Sequence, residues 1–124
     1  VYAHGGSNQW GLDFDEHGQA FMTTCRSHNG GGPVSHVIHG GHYWRQEGTD
    51  HNPYVFDLLP ASADHQHGVA GRGGAGSLHG GHSHVGTMIY LGGAWPDAYR
   101  GGLFTFNLHG LRINHEINER AGSG

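Results

Sequence analysis

HSHVGTMIYLGGAWPDAYRGGLFTFNLHGLRINH, residues 82–115, is the stretch on which the fold turns. It holds two β-prone runs, Val85 to Leu91 and Gly102 to Leu108, with a third from Leu111 to Ile117. Two glycines, then Trp95-Pro96-Asp97 and Tyr99-Arg100-Gly101, separate the first two runs and predict a compact surface turn. An antiparallel pair joined in this way brings the start of its first strand and the end of its second to one edge. His82 and His84 stand at one of those ends and His109 at the other. The pattern therefore predicts three imidazoles gathered on one rim of a β-pair.

Working outward, the N-terminal part repeats the theme. Gln9 to Asp13 and Gln19 to Thr24 read as strands, and Asp15-Glu16-His17-Gly18 supplies the turn between them. Trp10, Leu12 and Phe14 alternate with Gly11, Asp13 and Asp15, the period of a half-buried strand. After the loop Arg26 to Pro33, Val34 to His39 forms a third strand, Gly40-Gly41 turns the chain, and His42 to Gln46 returns as a fourth. Glu47 to His67 is polar at its ends around Tyr54, Val55, Phe56, Leu58 and Leu59, with a helical turn expected after Asn52-Pro53. Val69 to Gly81 is glycine-rich and of low complexity. The expected organisation is a first four-stranded unit over about 8–46, an insertion loop over about 47–81 and a second unit over about 82–118.

Composition agrees with an all-β chain. Of 124 residues, 25 are glycine without a collagen period, 35% are hydrophobic and 13% are charged. The formal charge of −4 offers nothing to a nucleic acid. Fourteen histidines are the outlier, and protonating all of them would carry the charge to +10, so behaviour below about pH 6.5 should depend strongly on pH. Cys25 is the only cysteine, which excludes an internal disulfide. No run is long enough to cross a bilayer and no signal peptide is visible, so the chain reads as an excised or mature piece.

Radially repeated four-stranded sheets are the blades of a β-propeller. The two units make an incomplete ring, since closed rings need roughly four to eight blades. Remaining blades or self-association would have to complete it. The segments SNQWGLDFDEHGQAFMTTC, HVIHGGHYWRQ, HNPYVFD and GGHSHVGTMIYLGGAWPDAYRGGLFTFNLHGLRIN resemble, in order, the propeller of bacterial membrane-bound dehydrogenases. That propeller is similar in turn to glucose and sorbosone dehydrogenases that use pyrroloquinoline quinone. The resemblance covers nearly the whole chain and is weakest through Ala61 to Leu78. It implies a six-bladed ring, export to the periplasm, a sugar or alcohol substrate, a quinone held with calcium near the axis, and a cytochrome c domain as electron acceptor.

On that resemblance Asn8 matches an asparagine of the cofactor-side loop, while Ser7 stands where the quinone enzymes tend to have arginine. His109 takes the place of a cofactor-contacting lysine. Both departures remove positive charge from the seat of an anionic quinone. No Cys-x-x-Cys-His haem motif is present.

Read from the residues alone, His82, His84 and His109 could ligate a transition metal, because three imidazoles with an open position make a reactive centre. The plain alternative is that they cap strand ends and bond loop carbonyls. Asp64-His65-Gln66-His67 is a second cluster, more simply read as a solvated loop. Cys25-Arg26-Ser27-His28 follows the second strand on the same rim, and the planar fork of Arg26 suits an anion. His17, His39 and His42 belong to turns on the opposite side, and His36 to a strand interior. Gly71-Arg72-Gly73-Gly74-Ala75-Gly76 fits a dinucleotide pattern but lacks the strand and helix that would give it meaning.

Overall fold

A computed structural model describes residues 1–5, 9–23, 34–43, 55–56 and 83–117. Nine strands occur in them: β1 (His4–Gly5), β2 (Leu12–Phe14), β3 (Ala20–Thr23), β4 (Val34–Val37), β5 (His42–Tyr43), β6 (Val55–Phe56), β7 (His84–Ile89), β8 (Leu103–Asn107) and β9 (Arg112–Glu116). A 3-10 turn, Asp97–Tyr99, is the one helical element among the described residues. No helix there is long and apolar enough to cross a membrane. The protein is all-β, with antiparallel sheets β2-β3-β4 and β7-β8-β9 and a small parallel sheet β1-β5-β6.

The β2–β3 hairpin forms where its turn residues require it. Asp15 Oδ1 accepts from the amides of His17 at 2.9 Å and Gln19 at 2.7 Å. Gly18 takes φ 76°, a left-handed conformation that an L side chain adopts only with strain. The turn between β7 and β8 is held by side chains. Arg100 Nη1 donates to the carbonyls of Leu91 and Gly92 at 2.7 and 2.8 Å. Tyr90 stacks on Trp95 with ring centroids 4.5 Å apart, and its hydroxyl accepts from the Trp95 amide. The compact surface turn expected from Trp95-Pro96-Asp97 and Tyr99-Arg100-Gly101 is the one observed.

Two expectations are corrected. The second antiparallel sheet shows the three strands expected of it, but the first shows three among the described residues where four were expected, and the segment from His42 does not return beside β4. Instead β5 pairs in parallel with β1 and β6. The Tyr43 hydroxyl accepts from the Ile38 amide at 2.8 Å and donates to the His36 carbonyl at 2.5 Å. A side chain thus occupies main-chain groups that a fourth strand would have used. Val55–Phe56 is a strand rather than part of a helical turn, whereas Asn52-Pro53 and the glycine-rich 69–81 lie outside the described residues.

The core lies in two layers. Phe21, Val34, Ile89 and Leu103 pack between the antiparallel sheets. Each such side chain contributes about 1.5–3 kcal/mol by leaving water. Ala20, Met22, Val37 and Tyr43 form a second cluster on the reverse face of β2-β3-β4, with Ala3 against it. Cross-strand register places Leu12 opposite Met22 and Phe14 opposite Ala20, on that reverse face, while Asp13 lies opposite Phe21. The alternation expected in this strand is real, but its apolar set faces away from the second sheet and its carboxylate faces in.

Candidate functional site

The seam between the antiparallel sheets sets strand direction. Gly86 N donates to the Trp10 carbonyl at 2.9 Å, and Ile89 N donates to Asp13 Oδ2 at 2.7 Å. Three residues on along each chain the next bond falls, so β2 and β7 run side by side in the same direction. A register shift between Val85 and Met88, with Gly86 at φ 68°, turns the β7 backbone toward the neighbouring sheet. Thr23 Oγ1 lies 2.9 Å from Thr87 Oγ1 and 3.4 Å from the Gly86 carbonyl. A Cβ on Gly11 would fall 2.3 Å from the Thr87 amide nitrogen, so only glycine admits this approach.

The shared direction carries the rim with it. The start of β7 and the end of β8 meet there, with His84 paired to Asn107 across the ladder. Both are buried. Leu108 N donates to the Ser83 carbonyl at 3.3 Å, and Asn107 Oδ1 accepts from Gly110 N at 2.8 Å, which shapes the turn bearing His109. His109 is exposed. Thus His84 and His109 reach the same rim, one enclosed and one on the surface. Ser83 at φ 58° and Leu111 at φ 51° also flank this turn, and among the described residues they are the non-glycine positions with positive φ. Such conformations cost of order 1 kcal/mol or more and concentrate where structure serves something other than stability.

His82, Asn8 and Arg26 lie outside the described residues, as do Cys25, His28, Asp64, His65 and His67. Among the described residues no three histidine, cysteine or carboxylate side chains are grouped to hold a metal. His17 and His39 lie at turns and His36 lies within a strand, as expected. His17 is exposed at the far hairpin, 3.7 Å from the Glu16 carboxylate, and His39 packs edge-on against Tyr2. His36 stacks on Phe21 at 5.0 Å while its Nε2 meets Gln19 Oε1 at 2.9 Å.

Two features escaped the sequence reading. One is the inward carboxylate of Asp13. The other is an apolar groove of about 590 Å³ on the reverse face of β2-β3-β4, lined by Tyr2, Leu12, Phe14, Met22, Val37 and Tyr43 among others. The alternation of Leu12 and Phe14 signalled an apolar face without saying which way it looked. Compared with family models, curated proteins and solved structures, the chain matches none.

Proposed function

We propose that the chain is part of the propeller of an exported oxidoreductase that acts on a sugar or another alcohol. The observation that carries this reading is the same-direction alignment of β2 and β7, fixed by the Trp10–Gly86 and Asp13–Ile89 contacts. Neighbouring blades of a ring set their first strands side by side in that way, with their loops on a common rim. Both antiparallel sheets also carry apolar residues on the face turned away from the seam, as sheets covered on both sides do.

On this reading the rim is the working edge. Asn8, Arg26 and His109 would bind and orient a quinone of the pyrroloquinoline type with calcium, and the quinone supplies hydride acceptance. A cytochrome would take the electrons onward. Titration of the chain with pyrroloquinoline quinone and calcium tests this: saturable binding weakened about tenfold by Arg26→Ala supports it, and absence of binding removes it.

A second reading is a non-catalytic module that holds a transition metal or a carbohydrate. The arrival of His84 and His109 on one strained rim favours the metal form. Elemental analysis after chelator-free purification should then find one ion per chain, lost in the His82→Ala, His84→Ala double variant.

A further inference from the structure

We infer that the crevice between β2-β3-β4 and the N-terminal segment binds a small, flat, uncharged aromatic molecule that carries one N–H or O–H. Its floor is the face of the sheet turned away from the seam, where Ala20, Met22 and Val37 are buried. Leu12 and Phe14, 50% and 52% exposed, line the same face. The opposite wall is Ala3 and the buried Tyr43, which pack on that floor from within the chain. That packing leaves about 590 Å³ unfilled. Main-chain bonds hold the wall in place: His4 N donates to the Gly41 carbonyl at 2.9 Å, and Gly40 N donates to the Tyr2 carbonyl at 2.8 Å. A Cβ on Gly5 would overlap the Tyr43 carbonyl oxygen, so glycine is what lets β1 lie against β5. The crevice is therefore formed before anything enters it. Toward the β2–β3 turn it is open, since a Cβ on Gly18 would meet nothing within 4 Å.

Size, charge and surface together select the occupant. Clefts that enclose small molecules run to about 300–1,000 Å³, and this one falls in that range. A protein partner would need a broad open face, which the segment bearing Ala3 and Tyr43 denies it. Among the described residues no Asp, Glu, Lys or Arg lines the crevice, and an ion buried without a partner is costly. Tyr2, Phe14, Tyr43 and Met22 supply aromatic and polarizable surface, which suits a flat ring system. Gln9 supplies direction. Its Nε2 donates to the Gly5 carbonyl at 2.6 Å, which fixes the amide beside the crevice and offers its oxygen to one donor on the ligand. The site does not rest on the quinone reading above, because that quinone is anionic and this crevice favours a neutral guest.

The chain's two methionines report on this directly: Met22 lines the crevice, and Met88 is 38% exposed opposite Phe104 on the far face of β7-β8-β9. The ligand for the test is N-phenyl-1-naphthylamine, a neutral aromatic amine. Its comparison is 8-anilinonaphthalene-1-sulfonate, the same skeleton with an added negative charge. His4 also lines the crevice, so both are titrated at pH 8, where histidine is ordinarily uncharged. NMR of isotope-labelled methionine methyls in the full chain should show the Met22 signal shifting to saturation at one molecule per chain, with Met88 unmoved. The sulfonate should bind about tenfold more weakly or worse. Gln9→Ala should weaken the amine about fivefold by removing the acceptor, and Ile113→Ser on the far face should leave its affinity unchanged. The Met22 shift is read in the unaltered chain and so depends on no variant folding. No shift at Met22, equal shifts at both methionines, or equal affinity for the two compounds overturns the inference.

Discussion

The Ile89 amide donates to the Asp13 carboxylate at 2.7 Å across 76 positions of sequence. This contact lets a charged side chain face the apolar layer made by Phe21, Val34, Ile89 and Leu103. It also ties the first strand of one antiparallel sheet to the first strand of the next. Removing the acceptor leaves the amide buried against apolar neighbours, so Asp13→Ala should cost about 2 kcal/mol in urea unfolding. Asp13→Asn keeps an acceptor oxygen and should cost less than half of that.

The layer itself should respond to truncation by position. Leu103 is 1% exposed and sits at the centre of the seam. Leu103→Ala removes its contacts and leaves a cavity, for an expected loss of about 3 kcal/mol. Ile113 is 68% exposed, so Ile113→Ala should change stability by less than about 0.5 kcal/mol. Chemical denaturation of both variants checks the contrast.

Much of this arrangement was legible in the chain. The strands from His84 to Glu116 follow from β-branched and aromatic runs separated by glycine turns, because local pattern and local turn chemistry agree there. The β2–β3 hairpin was legible for the same reason, with Asp15 and Gly18 as its turn residues. The destination of β5 was not, because its partner His4–Gly5 is far away in sequence and is too short to show a period. Nor can a period of two tell which face of β2 looks inward; the Asp13–Ile89 contact decides that. The common rim of His84 and His109 followed from strand polarity, but the burial of one and the exposure of the other depend on the neighbouring sheet.

Tyr43 should make stability fall at high pH. Burial raises its phenol above the usual value of 10.0, opposed by the hydrogen bond from the Ile38 amide and reinforced by Tyr2. The folded state therefore holds the phenol proton more tightly than the unfolded chain. This contribution is fully present below about pH 10 and is lost as pH rises through the raised folded value. Tyr43→Phe should flatten this alkaline limb in thermal unfolding while lowering stability near neutrality by about 1–2 kcal/mol, through two lost hydrogen bonds.

At the far hairpin, Asp15→Ala should cost about 1 kcal/mol, because the amides of His17 and Gln19 lose their shared acceptor. Gly18→Ala should cost a similar amount by placing a Cβ on a backbone at φ 76°. Neither change should alter the ligand or metal binding proposed for the opposite rim, which titration of the variants would show.

Hydrogen exchange of individual backbone amides by NMR tests the central relationship most directly. The Gly86 and Ile89 amides point across the seam to Trp10 and Asp13, so their protection reports the side-by-side placement of β2 and β7. Slow exchange is expected at both positions in the native chain, with Ile89 made fast by Asp13→Ala. Rapid exchange at both positions in a chain whose β8 amides remain protected would contradict that placement.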